Sequence, residues 1–200
     1  MPYRYSYISV DSCPAPSLHS HLPKALPHSK PSFNLSLRAG IMQGMKDIAL
    51  LLICFLLCFA TAALGGYFNT FGLGQWYDSL QKPSFNPPGW IFGPVWTVLY
   101  VMMAISLWRV WRKGGEVNVR KAVVLFLLHL LLNAAWSGIF FALHRPGWAF
   151  VEILVLWVFI VTIILVFRPI DTVAAYLLIP YLLWVSFATI LNANLWWLNK

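Results

Sequence analysis

The chain has 200 residues, of which 60% are hydrophobic and only 10% charged. Soluble domains run at about 45–50% apolar and about 25% charged, so the composition excludes an ordinary soluble domain, a disordered chain and a disulfide scaffold, and points to a membrane protein. The net charge of +8 would suggest nucleic acid in a soluble chain, but here the Lys and Arg residues lie between apolar runs, where they set topology, and no nucleic-acid partner is expected.

Residues 1–46 are rich in Pro and Ser, with Arg4, Lys24, Lys30, Arg38 and Lys46 set against one acid, Asp11. No apolar period runs through them, so the segment is expected to be a disordered or dispensable extension. Two readings fit. It is an organelle-targeting segment, Ser-rich and acid-poor, or it is sequence upstream of a start at Met42 or Met45. Residues 47–200 are expected to form a five-span membrane domain.

Five apolar stretches follow, at about 48–68, 89–111, 121–143, 147–167 and 172–198. A spanning helix needs about 20 such residues, and backbone groups in lipid must be satisfied within the segment. The expected fold class is therefore all-α: a five-helix transmembrane bundle. A rival reading of the first stretch is a cleaved signal peptide ending near Ala60-Thr61-Ala62. Its length and Gly65-Gly66 favour a packed span instead.

The second connection carries Arg109, Arg112, Lys113, Arg120 and Lys121, on the same side as Lys46 and Arg168. The other side has Lys82, Arg145 and Lys200. The amino end should face the cytoplasm if the membrane is bacterial. The first connection, 69–88, holds Trp76, Tyr77, Pro83, Phe85, Pro87 and Pro88. It reads as an ordered lid over one end of the bundle, or as an interfacial aromatic belt.

No hydrolytic motif, phosphate-binding loop or His pair at metal spacing is present, so no metal site or required cofactor is expected. What remains is aromatic and amide chemistry. Trp96 and Tyr100 share a face of the second span, Asn133 and Trp136 a face of the third, and Trp184 and Ala188 a face of the fifth, beside Phe187. Indole walls, one amide and a small residue suit a flat, mostly apolar ligand. Ordinary helix packing explains the same residues. Asn133 is equally an interhelical polar contact. Glu152, the sole acid within a span, is either functional or in a wet surface position. His129 is a candidate tetrapyrrole ligand or a packed residue. Cys54 and Cys58 read as small hydrophobes. Pro180 should kink the fifth span, and Asp171 should cap its start. Leu73, Tyr77 and Lys82 match a loose cholesterol pattern, within a loop.

Several ordered motifs carry a resemblance. Trp76-Tyr77, Lys82-Pro83, Asn86-Pro87-Pro88-Gly89-Trp90, Gly93-Pro94-Val95-Trp96-Thr97 and Leu99-Tyr100 are followed by Leu132-Asn133-Ala134-Ala135-Trp136 and Phe140-Phe141. Gly147-Trp148-Ala149, Pro180-Tyr181-Leu182-Leu183-Trp184, Phe187-Ala188-Thr189 and Leu191-Asn192 complete the series. Over about residues 46–198 the chain resembles the TspO/MBR family of tryptophan-rich sensory proteins and translocator (peripheral-type benzodiazepine receptor) proteins.

The resemblance implies a five-span protein, often a homodimer, that binds protoporphyrin IX or haem as ligand in a transport or sensing role. Some members bind sterol or benzodiazepine-type ligands. By motif position it implies ligand contacts at Tyr77, Pro87, Trp96, Asn133, Trp136, Trp148, Trp184 and Ala188. If light-dependent porphyrin degradation occurs, as implied for some bacterial members, Trp96 and Trp184 would be the catalytic residues. The animal sterol pattern has a Tyr where Ala193 follows Asn192 here, with Trp196-Trp197 beyond. A bacterial-type member in the cell membrane fits better than one in the mitochondrial outer membrane.

Overall fold

Without water to satisfy backbone groups, long apolar runs coil into helices, and a computed structural model, which describes residues 32–200, contains helices and turns with no strand among the described residues. In chain order these are α1 (Ser32–Asn69), α2 (Gln75–Ser79), α3 (Gly89–Trp111), α4 (Arg120–Ser137), α5 (Pro146–Phe167), α6 (Thr172–Leu177) and α7 (Ile179–Leu198). Five segments are long and apolar enough to cross a membrane: Gly40–Asn69, Gly89–Gly115, Arg120–Ala142, Pro146–Phe167 and Thr172–Leu198. The protein is an integral, multi-pass membrane protein of the expected all-α class.

The chain divides after Arg38, and residues 39–200 form one compact unit. Of the amino-terminal extension, residues 1–31 lie outside the described residues. From Ser32 onward the backbone is already helical, so α1 starts well before the apolar run that announces it. Ile41, Met42 and Met45 on this stretch are exposed.

Two local departures from α geometry shape the bundle. Pro180 has no N–H to donate and cannot continue a helix through its own first turn. The fifth span accordingly breaks at Leu178 into α6 and α7, with Pro180 in the first turn of α7. The third span ends in a π-helical turn, Gly138–Ala142. That wider turn carries adjacent Phe140 and Phe141, both buried.

Small residues let helices approach in lipid, where packing rather than water exclusion holds them together. Ala104 on α3 and Ala174 and Ala175 on α6 are buried where these helices meet, and the Ser106 hydroxyl donates to the Ala174 carbonyl at 2.7 Å. α5 packs most closely on α7 and α4. Phe126 and Phe167 stack at 5.8 Å in the core between α4 and α5. Cys54 and Cys58 are free thiols buried as core residues of α1.

The connections are pinned at both ends. Arg109 reaches Asp171 through both its Nε (3.1 Å) and an Nη nitrogen (3.0 Å), and Lys113 lies 3.4 Å from the same carboxylate. Asp171 also accepts from the Ala174 N–H at 2.9 Å, capping α6 as its sequence position suggests. Burial alone would raise this carboxyl, but the Arg109 hydrogen bond, the Ala174 N–H and the cations outweigh it and hold it below its usual value. The Trp108 indole donates to the Asp47 carbonyl at 3.0 Å, so the start of the first span sits beside the end of the second. The opposite end belongs to the loop after α1.

Candidate functional site

Early in that loop lies Gly72, where a Cβ would stand 2.5 Å from the Phe141 carbonyl oxygen, so only glycine lets the backbone lie this close to the π turn. α2 then sets Trp76 and Tyr77 down on Phe140 and Phe141, at centroid separations of 5.6–6.4 Å. His144 adopts a left-handed backbone (φ 53°), uncommon for a residue with a side chain. Its ring stacks on Trp76 at 4.4 Å and its Nε2 donates to the Phe71 carbonyl at 3.3 Å. The Tyr77 hydroxyl donates to Asn86 Oδ1 at 3.1 Å. Burial raises the Tyr77 phenol above its ordinary value despite the Asn86 bond, so it remains a donor at neutral pH. The loop is an ordered cover.

Beneath it lies a cavity of about 610 Å³. This falls within the roughly 300–1,000 Å³ of small-molecule sites. α1 supplies one wall through Phe59, Ala62 and Gly66; α3 supplies Phe92, Trp96 and Tyr100. α4 and its π turn add Asn133, Trp136 and Phe140, and α7 adds Trp184, Ala188 and Asn192. The cover closes it with Tyr77, Asn86 and Pro87.

Seven of the eight ligand-contact residues implied by sequence thus border one space: Tyr77, Pro87, Trp96, Asn133, Trp136, Trp184 and Ala188. Trp148 does not. It is 69% exposed, because at the start of α5 it is the neighbouring Gly147 that faces α7, where a Cβ would stand 2.8 Å from the Trp196 indole nitrogen.

Asn133 is interhelical as well as cavity-facing. Its Oδ1 accepts from Tyr100 and its Nδ2 donates to the Tyr181 hydroxyl at 2.9 Å. Asn192, absent from the implied contacts, holds Trp136. Its Oδ1 accepts from the indole at 3.0 Å and its Nδ2 donates to the Pro146 carbonyl at 2.8 Å. Its signal in the sequence is an amide within an apolar span, which needs partners. Asn69 was also missed. It borders the cavity, and its Oδ1 has no hydrogen-bond partner among the described residues.

His129 is not placed to ligate a metal in the cavity, because its ring nitrogens face Phe126 and Tyr181. Among the described residues no cluster of His, Cys, Asp or Glu could hold a metal ion. Glu152 does not occupy a wet position. Both carboxylate oxygens are shielded and lack partners among the described residues.

A five-span helical membrane protein with an aromatic, amide-dotted cavity under a proline-stiffened cover is the class that fold and site define. The chain belongs to the TspO/MBR family, whose model matches residues 54–198. It is 44% identical to tryptophan-rich protein TspO of Chlorobaculum tepidum over 158 residues, 77% of this chain and 98% of that protein. It is 35% identical to the tryptophan-rich sensory protein of Cereibacter sphaeroides over 153 residues, 76% of this chain and 93% of that one. The translocator protein of Homo sapiens is 41% identical over 125 residues, 61% of this chain and 73% of the human protein.

Proposed function

We propose that the cavity binds a tetrapyrrole, protoporphyrin IX or haem, and that the protein serves transport or sensing of that ligand across or within its membrane. The observation that carries this reading is the convergence of Trp96, Trp136 and Trp184 on one space of about 610 Å³. Aromatic walls favour a flat conjugated ring through stacked or edge-on contact. The Asn69 acceptor, without a hydrogen-bond partner among the described residues, offers a polar group to the ligand's edge. Haem would bind through its macrocycle, since His129 is committed elsewhere.

The test is titration of detergent-purified protein with protoporphyrin IX. Saturable quenching of Trp fluorescence at micromolar ligand is expected. Absence of saturation overturns the reading.

A second reading is light-dependent breakdown of the bound porphyrin. It is favoured by the position of two oxidisable indoles, Trp96 and Trp184, on the cavity wall. Illumination of the same titrated sample decides it: the porphyrin band must fade faster with protein than without.

A further inference from the structure

From the cavity wall inward runs a line of polar groups whose inner two members, Tyr181 and His129, do not border the cavity. Tyr100, Asn133, Tyr181 and His129 are joined in sequence, and the direction of each proton is fixed by chemistry. The Phe126 carbonyl can only accept, so His129 Nδ1 carries a hydrogen and donates to it at 3.2 Å. Nε2 is then a lone pair, and the Tyr181 hydroxyl donates to it at 3.0 Å. The Tyr181 oxygen accepts from Asn133, and Asn133 accepts from Tyr100. Tyr181 is 0% exposed and His129 1%, so no water competes for that proton.

A phenol gives up an electron far more readily when its proton can leave at the same moment to a nearby base. Tyr181 has such a base in His129. It also has an electron acceptor within reach: its ring lies 6.1 Å from that of Trp96, which borders the cavity. Tyr100 is slightly nearer to Trp96, at 5.6 Å. Its hydroxyl, however, donates to an amide oxygen, which is too weak a base to take the proton.

We propose that Tyr181 and His129 form a proton-coupled electron donor that restores Trp96 after Trp96 has given one electron to a photoexcited tetrapyrrole, an inference that rests on the tetrapyrrole reading above. Trp96 loses one electron, which the excited pigment gains, and is left as an indole radical cation. Tyr181 passes one electron to that cation, and its O–H bond breaks as an N–H bond forms at His129 Nε2. The result is intact Trp96, a neutral Tyr181 oxyl radical and an imidazolium at His129. One electron now rests on the pigment, and charge is conserved throughout. The pair thereby protects the cavity indole from irreversible oxidation and holds the separated charge in a dry interior.

The test is low-temperature electron paramagnetic resonance of protein frozen under illumination with protoporphyrin IX. A tyrosyl signal is expected in the unaltered chain, lost in Tyr181→Phe and retained in Tyr100→Phe. Persistence of the signal in Tyr181→Phe overturns the proposal. Because either variant can loosen the bundle, flash absorption on the unaltered chain supplies a second measurement. Decay of the indole radical must slow in D2O, and an unchanged rate overturns the proposal. A parallel sample replaces the tetrapyrrole with photogenerated tris(bipyridine)ruthenium(III) as oxidant. A tyrosyl signal there but none with protoporphyrin IX keeps the donor pair and overturns its coupling to a photoexcited tetrapyrrole; if the fluorescence titration also fails to saturate, the tetrapyrrole reading itself falls. No tyrosyl signal with either oxidant overturns the donor pair, while the fluorescence titration still reports binding on its own.

Discussion

Gln81 and Asn199 bond to each other twice. The Gln81 N–H donates to Asn199 Oδ1 at 2.9 Å, and Asn199 Nδ2 donates back to the Gln81 carbonyl at 3.0 Å. This pair ties the cover to the end of α7. Each such bond is worth about 1 kcal/mol net, and exposed ones less. Asn199→Ala should therefore speed ligand release severalfold and leave association little changed. Stopped-flow recovery of Trp fluorescence after protoporphyrin IX is diluted out measures it.

Asp171→Asn keeps an oxygen to cap α6 and should lower stability by about 1 kcal/mol, from the lost, partly exposed ion pair with Arg109 and Lys113. The pH dependence has a definite sign. The folded-state carboxyl is held below its ordinary value of 3.8, so its contribution is complete above that value and is lost as pH falls through the lower, folded value. Melting in detergent from neutral pH downward should show the native chain losing stability in that acid range. The Asp171→Asn curve should be flatter there.

Two glycines separate space from strain. Gly72→Ala puts a methyl against Phe141 backbone, which cannot yield like a side chain, and should cost about 1–3 kcal/mol while loosening the cover. At Gly66, which borders the cavity, a methyl meets nothing within 4 Å. Gly66→Ala should leave the melting temperature nearly unchanged and weaken porphyrin binding. The two measurements together separate a distorted fold from a filled pocket.

Trp96→Phe combined with Trp184→Phe should weaken protoporphyrin IX binding by about tenfold or more, equivalent to about 1.4 kcal/mol. Trp148→Phe should change affinity little, since this indole is exposed and away from the cavity. Equal affinities for all three proteins in the fluorescence titration would contradict the assigned walls.

The fold was legible because bilayer thickness and backbone satisfaction leave few choices for runs such as 147–167. Their ends were less so. The amino end of α1 was hidden because residues 32–47 lack the apolar run that marks a span, although they are helical. The break in the fifth span was legible at Pro180, whose ring allows little else. On the cavity wall, Trp96, Trp136 and Trp184 are marked by helical spacing and motif together. Trp148 was carried by motif alone, and helix rotation turns it outward. Asn69 and Asn192 were missed because an amide's partner depends on neighbouring helices, which spacing along one helix does not reveal. The π turn was invisible for a related reason: Phe140-Phe141 reads equally well as α-helix with one ring facing lipid.

That turn makes the composition of the chamber wall a matter of counting. A π turn holds one residue more than an α turn, and each residue advances a helix by about 100°. Removing a single residue between Gly138 and Ala142 would leave the span apolar and helical, yet swing one phenylalanine away and rotate the anchorage of the cover with it. The shape of the chamber is thus sensitive to insertions and deletions that change no chemical group at its surface.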